Sequence, residues 1–159
     1  MSAERPRVVI VGGGFGGLYA ARALRRASVD VTVIDRTNHH VFQPLLYQVA
    51  TATLAPTHIT APIRWLLRKQ RNTKVVLAEV TGIDVAARRV HCDDGSTFAY
   101  DYLIVASGSR HPYFGRSEWE KSAPGLKSVD DAIVIRQRFL LAFERAEKAS
   151  DEADRRRLL

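Results

Sequence analysis

The sequence predicts an α/β fold with a parallel sheet, a small β-meander and a C-terminal helix. Three observations support this. A strand-like run at 7–11, a helix-like run at 15–27 and a strand-like run at 30–36 follow each other through short connections, as in a parallel β-α-β unit. Apolar segments of strand length then alternate with turn signals over 73–107. A helical pattern closes the chain from Ser128 onward.

The first strand reads RVVIV and is apolar throughout, whereas the second, DVTVIDR, alternates and ends beside an acid. The pattern is lost over 37–60, a mixture of aromatics, His, Gln and Pro that is typical of a binding loop. Residues 61–71 regain helical character, with Ile63, Leu66 and Leu67 on one side and basic residues on the other.

Strand patterns resume at TKVVLAEV, and two or three more strands are predicted before residue 107, turning near Ala86–Ala87 and at Asp94–Gly95. The run YLIVA is uninterrupted and apolar, which favours the centre of a parallel sheet. A loop is predicted over 109–127. Ser128 stands three residues before Asp131 and predicts a capped helix start. The predicted apolar face of this helix carries Ala132, Ile135, Phe139, Ala142 and Ala146.

The composition is that of a soluble globular protein, with 46% apolar and 26% charged residues among 159. No apolar run approaches the roughly 18 residues that span a bilayer. The first residues, MSAERPR, show no signal-peptide core, so a cytoplasmic location is expected. Cys92 is the only cysteine, which excludes an internal disulfide, a CxxC redox pair and a cysteine-based zinc cluster. No other ligand cluster accompanies His39 and His40, so no metal site is predicted.

The formal charge of +7 is concentrated in three basic clusters. Nucleic acid, an anionic membrane surface and an anionic cofactor are alternative partners for such clusters. Solvated helix faces are the favoured interpretation, because aromatic residues are not interleaved with the clusters as nucleic-acid binding would require. The clusters are Arg22, Arg25 and Arg26; Arg64, Arg68, Lys69 and Arg71; and Arg155, Arg156 and Arg157.

Glycines are crowded between the first strand and the first helix, where Gly12, Gly14 and Gly17 match G-x-G-x-x-G. The first glycine permits a tight turn, the second lets a pyrophosphate approach the backbone, and the third lets the helix pack on the strand. Asp35 follows at the end of the second strand, 18 residues after Gly17, where a carboxylate can bind ribose hydroxyls. The pattern predicts dinucleotide binding rather than a purely structural turn. The acid argues against NADP, and the loop alone leaves FAD and NAD open.

The element order resembles that of flavoprotein reductases with two dinucleotide-binding domains. The segments VVIVGGGFGGLYAARAL, HHVFQPLLYQVATATL and YDYLIVASGS, with APGLKSVDDA after Trp119, are similar to type II NADH dehydrogenase, the non-proton-pumping NADH:quinone oxidoreductase of respiratory chains. The resemblance covers nearly the whole chain. It implies a Rossmann-like FAD-binding domain over 1–125 and a helical connector over 126–159 that leads to an NADH-binding domain.

By this resemblance the expected cofactor is FAD, with NADH and a quinone as substrates. Hydride passes from NADH to FAD, and two electrons then pass to the quinone. The full-length enzyme is expected on the inner face of the cell membrane, held there by a C-terminal part, and a homodimer is an open expectation. The ten glycines of the sequence form no second G-x-G-x-x-G motif, which an NADH-binding domain would require. The chain is therefore expected to be the incomplete N-terminal portion of the enzyme. Weak FAD binding and little turnover are expected of this portion alone.

The resemblance also implies cofactor contacts. Residues 40–48 are expected to run beside the isoalloxazine and toward the quinone. Core packing is the alternative role of Phe42, Leu45, Leu46 and Tyr47, and it is the favoured one for the two leucines. Gln48 can equally be a loop amide whose hydrogen bonds are satisfied within the chain. Trp65 and Trp119 are predicted to be packing residues. No catalytic side chain is named. The implied FAD ligands are Gly12, Gly14, Phe15, Gly16 and Gly17 at the pyrophosphate, Asp35 and Arg36 at the ribose, Val80 at the adenine, and Gln48, Ala106, Ser107 and Gly108 elsewhere along the cofactor.

Two other functions stay open at this stage. One is a related FAD-dependent enzyme, such as a sulfide:quinone oxidoreductase or a rubredoxin reductase. The other is a non-catalytic module that uses FAD or NAD as a structural or sensing ligand.

Overall fold

The computed structural model describes residues 4–109 and 112–159. The chain divides into two compact units, Met1–His40 with Ala61–Ser109, and Val41–Thr60 with Arg110–Leu159. The predicted division at residue 125 does not coincide with these units. Compactness does not report which residues bind a cofactor, so that division stays a prediction.

The described residues form nine strands and five α-helices, joined in places by short 3-10 turns. In chain order they are β1 (Arg7–Val11), α1 (Phe15–Ala23), β2 (Asp30–Asp35), β3 (His39–Val41), α2 (Leu46–Ala50), β4 (Thr60–Pro62), α3 (Ile63–Leu67), β5 (Thr73–Leu77), β6 (Val80–Asp84), β7 (Arg89–Cys92), β8 (Thr97–Ala99), β9 (Tyr102–Val105), α4 (Val129–Lys148) and α5 (Glu152–Leu158).

A parallel sheet in the order β5-β2-β1-β9 organises the first unit. The predicted β-α-β start is confirmed, and Ile10 of β1 pairs with Val33 of β2 on one side and Ile104 of β9 on the other. The predicted central position of YLIVA is wrong for the described chain, because β9 lies at the sheet edge. Tyr102 and Val105 are accordingly about 60% exposed, at 62% and 60%.

The apolar run of β9 nevertheless has a packing reason. Leu103 packs on one face of the sheet and Ile104 on the other, so an edge strand between two covered faces has the same apolar pattern as a central one. One face is covered by α1 and α3, with Leu18 and Ile63 in its core. The other is covered by the antiparallel meander β6-β7-β8, which contributes Val90 to its core.

The predicted meander is confirmed, but the strand expected over TKVVLAEV is divided. β5 ends at Leu77 in the parallel sheet, and β6 begins at Val80 in the meander. The break is held by Asp93, whose Oδ1 accepts a hydrogen bond from the Glu79 N–H at 2.9 Å. The turns predicted near Ala86–Ala87 and at Asp94–Gly95 are present between the meander strands, and Gly95 has a φ of +79°.

The second unit is built around α2 and α4. Leu46, Val49 and Ile59 are buried together with Ala132. The predicted cap is confirmed, since Ser128 Oγ accepts from the Asp131 N–H at 3.1 Å while Asp131 Oδ2 accepts from the Ser128 N–H at 2.9 Å.

Two sequence predictions for this unit were incomplete. The segment predicted as an irregular loop over 37–60 contains β3, α2 and 3-10 turns. The helical connector predicted over 126–159 contains two helices, α4 and α5, where the sequence pattern indicated one. On the predicted apolar face of α4, Ala132 and Ala146 are buried, whereas Phe139 is 43% exposed. The helix therefore buries only the ends of that face within the described residues.

Candidate dinucleotide-binding site

The glycine turn begins with a close approach of three strand ends. Gly12 has a φ of +97°, a conformation that side chains other than hydrogen disfavour. Its N–H donates to the Ile34 carbonyl at 2.8 Å, and the Ala106 N–H donates to the Val11 carbonyl at 2.8 Å. A Cβ on Gly12 would collide with the Ala106 carbonyl oxygen. The carboxyl ends of β1, β2 and β9 consequently meet at this turn.

The other glycines of the motif differ in the space around them. A Cβ on Gly17 would collide with the Gly12 carbonyl oxygen and lie 3.3 Å from Ile10 Cγ2, so α1 packs directly on β1. Gly16 has only an ordinary contact, at 3.5 Å from Ala106 Cβ. Gly14 has no atom within 4 Å of its Cβ position, so the backbone there faces open space that a ligand can enter.

The start of α1 has the electrostatics of an anion site. Gly14 is the N-cap and provides no side-chain hydrogen bond, and the first turn carries no acid. The N–H groups of a first helical turn have no partner within the helix, and the helix dipole places positive potential at the same point. This combination is suited to a phosphate.

Asp35 anchors the turn through its carboxylate. Oδ2 accepts from the Gly13 N–H at 2.7 Å. Oδ1 accepts from the Thr37 N–H at 2.9 Å, the Thr37 hydroxyl at 2.8 Å and the Asn38 N–H at 2.8 Å. Burial acts to raise the pKa of this carboxyl, but the hydrogen bonds together outweigh it, and the pKa is lowered from its ordinary value. Asp35 is therefore an anion at neutral pH.

These four donors limit what Asp35 can offer to a ribose. Each carboxylate oxygen has about two lone-pair positions, and Oδ1, which receives three hydrogen bonds, has none left. Oδ2 receives one, which leaves one position for a hydroxyl. The contact of Asp35 with a ribose stays a prediction. Its contact with the glycine turn is a second role that the sequence motif did not indicate.

Gly13 is the residue that the sequence prediction left out. It is buried, its N–H is held by Asp35, and its carbonyl lies 3.3 Å from His40 Nδ1, which donates to it in the matching tautomer. A Cβ there would collide with Ile63 Cδ1. The signal was present in the sequence, because Gly13, the second of three consecutive glycines, fills a position that the motif leaves free.

Phe15 and His40 form the side wall next to this turn. Their rings meet edge to face, with centroids 4.9 Å apart. Phe15 is the first residue of α1 and is 36% exposed. The predicted position of Phe15 beside a pyrophosphate stays a prediction, and its ring orders His40.

Arg36 follows the last residue of β2 and Val80 begins β6. Their predicted contacts with the adenosine end of a cofactor stay predictions. Arg36 Nη1 is 3.8 Å from Glu79 Oε1, and both side chains are about half exposed, at 52% and 53%. The neighbouring Ala78 N–H donates to the Asp35 carbonyl at 3.2 Å. Val80 follows at the start of β6 and is half-buried. This pair of charges is a surface ion pair that a ligand can rearrange at little cost.

Ala106, Ser107 and Gly108 follow β9 directly and pass next to the glycine turn. Ser107 and Gly108 are exposed, and Gly108 has a φ of +74°. Gln48 belongs to the second unit, where its Nε2 donates to Tyr47 Oη at 3.1 Å. Its contact with a cofactor stays a prediction.

In the aromatic segment, residues 41–60, some large side chains are buried and others are exposed. Leu46 is 2% exposed and belongs to the core of the second unit, which confirms the favoured interpretation for that leucine. Phe42 and Tyr47 are exposed instead, at 44% and 53%.

The two tryptophans, predicted to be packing residues, pack at the surface and not in the core. Trp65 is 56% and Trp119 46% exposed. Each packs against an arginine of its own segment, with the Arg68 guanidinium 3.9 Å from the Trp65 ring centroid and the Arg116 guanidinium 5.2 Å from that of Trp119. An indole is stabilised at the surface by a cation over its face.

Cys92 is buried in the core between the sheet and the meander. Burial raises the pKa of its thiol, and Asp94 and Asp93 raise it further, against a hydrogen bond from Ser96 that lowers it. The thiol is therefore protonated at neutral pH and is a packing group.

The parallel sheet, the glycine turn and the helix start define a Rossmann-like α/β domain of the dinucleotide-binding class. The profile of the pyridine nucleotide-disulphide oxidoreductases matches residues 6–145. The chain belongs to this family.

Several relatives with known names are similar to the chain. The type II NADH:quinone oxidoreductase Ndh of Mycobacterium tuberculosis is 52% identical over 98% of the chain and 34% of its own length. A mitochondrial external alternative NAD(P)H-ubiquinone oxidoreductase, B2, of Arabidopsis thaliana is 31% identical over 98% of the chain and 29% of its own length. The chain thus spans about a third of the length of these curated relatives.

Solved structures show the same similarity in three dimensions. The NDH2 of Plasmodium falciparum in complex with NADH superposes with a TM-score of 0.83, at 26% identity, over 96% of this chain and 32% of that one. The sulfide:quinone oxidoreductase of Aquifex aeolicus superposes with a TM-score of 0.80, at 26% identity, over 87% of this chain and 32% of that one. These similarities confirm the α/β fold with its parallel sheet and meander. No helix within 4–109 or 112–159 is long and apolar enough to cross a membrane.

Proposed function

We propose that this chain is the FAD-binding portion of an NADH:quinone oxidoreductase. The observation that carries the proposal is the glycine turn, in which an uncapped helix start faces open space at Gly14 while Asp35 stays ionised beside it. The 52% identity to a mycobacterial type II enzyme favours NADH and a quinone as the substrates.

The residues present fit FAD. The first turn of α1 offers N–H groups to a diphosphate, and Gly14 leaves room for it to reach the backbone. Oδ2 of Asp35 has one acceptor position left for a ribose hydroxyl. Arg36, the next residue, is proposed to contact the adenosine end of the cofactor. A carboxylate at this position repels a 2′-phosphate, which favours FAD or NAD over NADP.

The chain's own residues bind and orient the cofactor, and no side chain is required as a general acid or base. FAD, when bound, supplies the acceptor of a hydride and the donor of electrons to a quinone. Ala106, Ser107 and Gly108 are proposed to line it, as are Val80 at the adenine end and Phe15 at the diphosphate. Gln48 is proposed to donate to a carbonyl of the flavin or the quinone.

The proposal includes the organisation and location of the enzyme. Residues 1–125 are proposed to form the cofactor-binding part and 126–159 the connector toward an NADH-binding domain. The protein is proposed to work at the inner face of the cell membrane, where a quinone is accessible. A homodimer is proposed as its assembly.

A sulfide:quinone oxidoreductase is the second candidate, because the Aquifex aeolicus structure superposes with a TM-score of 0.80. Within this chain the only cysteine is Cys92, whose buried, protonated thiol is not available to attack sulfur. This chain therefore supplies no reactive thiol of its own, and reactive cysteines in a longer form of the protein would favour sulfide as the electron donor.

The test is an FAD titration of the purified chain, followed by flavin fluorescence, with two matched glycine variants. Gly14→Val fills the space at the helix start, whereas Gly82→Val adds the same side chain in β6, where no atom lies within 4 Å of the Cβ position either. Binding is expected to be lost in Gly14→Val and kept in Gly82→Val. Equal binding by both variants, or none by the unmodified chain, contradicts the proposal.

Reduction of the bound flavin separates the candidates. Little NADH-dependent quinone reduction is expected from the 159-residue chain, because no second glycine fingerprint is present in it. Bleaching of the flavin by sulfide but not by NADH, in a longer form of the protein, supports the sulfide enzyme. A flavin that neither donor reduces supports a non-catalytic dinucleotide-binding module.

A further inference from the structure

Two of the three basic clusters lie on one side of the first unit. They are carried by α1 with its following 3-10 turn and by α3 with the segment after it, and both helices cover the same face of the parallel sheet. We call their outer side the α1–α3 basic surface. Its residues are Arg22, Arg25, Arg26, Arg64, Arg68, Lys69 and Arg71, all of which are exposed.

Hydrogen bonds join the two clusters. Gln70 is buried, and its Nε2 donates to the Ala21 carbonyl at 2.7 Å. Asn72 Nδ2 donates to the carbonyls of Leu24, at 3.0 Å, and Val29, at 3.1 Å. Residues 70–72 are thereby held against the C-terminal end of α1. Lys69 and Arg71, which alternate with these polar anchors, are brought next to the segment of Arg25 and Arg26.

The charge of this surface is not neutralised by nearby acids. Neither 16–29 nor 61–78 contains Asp or Glu, although Asp30 and Glu79 follow these ranges directly. Glu79 pairs with Arg36, and the other ion pairs within the described residues are also formed by arginines outside this surface. The third cluster differs, because on α5 Arg156 pairs with Glu152 at 3.2 Å and Arg157 with Asp154 at 3.8 Å. The basic residues of the α1–α3 basic surface repel each other in the free protein, and an anionic partner would reduce this repulsion.

Two exposed aromatic residues accompany the cations. Trp65 is 56% exposed beneath Arg68, and Tyr19 is 62% exposed with the Arg22 guanidinium 5.9 Å from its ring centroid. The sequence interpretation that aromatics are not interleaved with these clusters is therefore corrected. An amphipathic ring beside an arginine is suited to the boundary between water and lipid. Arg68 covers one face of the Trp65 ring, so a single face is left that could stack on a base.

We propose that the α1–α3 basic surface binds the headgroups of an anionic lipid bilayer. Its arginines and lysine attract the negative surface, and Trp65 and Tyr19 enter the headgroup layer. This contact uses residues of the Rossmann-like unit itself and does not depend on the proposed function. It would hold the chain at a membrane through electrostatics, so salt is expected to weaken it.

The test is sedimentation of the chain with vesicles of phosphatidylcholine alone or with about one third phosphatidylglycerol. Binding is expected only to the anionic vesicles and is expected to be lost at about 0.5 M NaCl. Failure to bind the anionic vesicles overturns the proposal. So does equal binding to the neutral vesicles, or tighter binding to a DNA duplex than to the anionic vesicles.

A matched pair of triple variants separates the surface from net charge. Arg25→Gln, Arg26→Gln and Arg71→Gln remove three charges from the surface, and Arg155→Gln, Arg156→Gln and Arg157→Gln remove three from α5. Because each basic residue near an anionic surface contributes about a factor of five, the first variant is expected to bind at least about tenfold more weakly. The second is expected to bind like the unmodified chain. Equal losses in both overturn the proposal.

Tryptophan fluorescence gives a local readout on folded protein. Lipid contact is expected to shift the emission of Trp65 to the blue, and Trp65→Phe is expected to abolish the shift while Trp119→Phe preserves it. A shift that persists in Trp65→Phe places the contact elsewhere and contradicts the proposal.

Discussion

The glycine turn at 12–17 and the aromatic segment at 41–60 are both irregular in sequence, yet different forces define them. In the turn, backbone atoms of β1, β2 and β9 approach so closely that a single methyl group collides with a carbonyl. In the aromatic segment, α2 and its neighbouring turns are held by buried side chains, Leu46 and Val49 among them. The turn should therefore be sensitive to added atoms and the segment to deleted ones.

The largest expected effect is that of Gly17→Ala. Its Cβ would collide with the Gly12 carbonyl oxygen, which is fixed backbone, so α1 has to move off β1. We expect a loss of more than about 3 kcal/mol in the free energy of unfolding, measured by urea denaturation, together with a loss of FAD binding.

Gly16→Ala is the matched control one position earlier. Its Cβ would make an ordinary contact with Ala106 Cβ at 3.5 Å, and alanine is a better helix former than glycine. We expect unchanged or slightly raised stability. If both variants unfold alike, the close approach of helix and strand is not what determines the turn.

The second effect is that of Leu46→Ala in the aromatic segment. Leu46 is 2% exposed, and truncation leaves a cavity in the core of the second unit. We expect a loss of about 2–3 kcal/mol in the free energy of unfolding. Tyr47→Ala, at a 53% exposed neighbour, should change stability by less than about 0.5 kcal/mol. Similar losses in the two variants would mean that the segment is not held by its core.

Sequence reasoning succeeded where one local pattern has one structural solution. Gly12 and Gly17 required the turn and the helix contact that the structure contains, and Ser128 with Asp131 required the cap. It failed where one apolar pattern is compatible with two positions in a sheet, central or edge. YLIVA is apolar at an edge because Leu103 and Ile104 pack on opposite faces.

The candidate site was predictable in its glycines but not in its hydrogen bonds. The motif assigns Asp35 to a ribose, whereas the chain itself provides four donors to that carboxylate from 13 and 37–38. The partner His40 of the Gly13 carbonyl arrives from β3, 27 residues away. A pairing across that distance depends on the tertiary path of the backbone, which no local pattern reports.

The third effect is that of Asp35→Asn. The amide keeps one acceptor oxygen, but its NH₂ group faces backbone N–H donors that the carboxylate had satisfied. We expect a loss of about 2 kcal/mol in the free energy of unfolding at pH 7, measured by urea denaturation. The Gly13 amide should then exchange faster with deuterium, because its acceptor is weakened.

The pH dependence supplies the check on Asp35. Its pKa is lowered in the folded chain, so its contribution is complete above the unfolded pKa of about 3.9 and is lost as the pH falls through the folded pKa. The stability difference between the unmodified chain and Asp35→Asn should therefore shrink below about pH 4. A difference that stays constant from pH 7 to pH 3 would assign the loss to shape rather than charge.

The smallest effect distinguishes the two regions most directly. Ser128→Ala removes the side-chain cap of α4, and we expect a loss of about 1 kcal/mol in the free energy of unfolding. Because α4 contributes Ala132 to the core that contains Leu46, the weakened helix start should raise hydrogen exchange in 46–50. The Gly13 amide is held by Asp35 and should keep its protection.

Ser150→Ala, at an exposed serine outside any helix, is the control and should leave both sets of amides unchanged. Ser128→Thr should restore protection in 46–50, since a threonine hydroxyl caps nearly as well. If Ser128→Ala deprotected the Gly13 amide as much as 46–50, the two regions would open as one cooperative element. The turn and the segment would then differ in the contacts that hold them, backbone in one and side chain in the other, but not in their local stability.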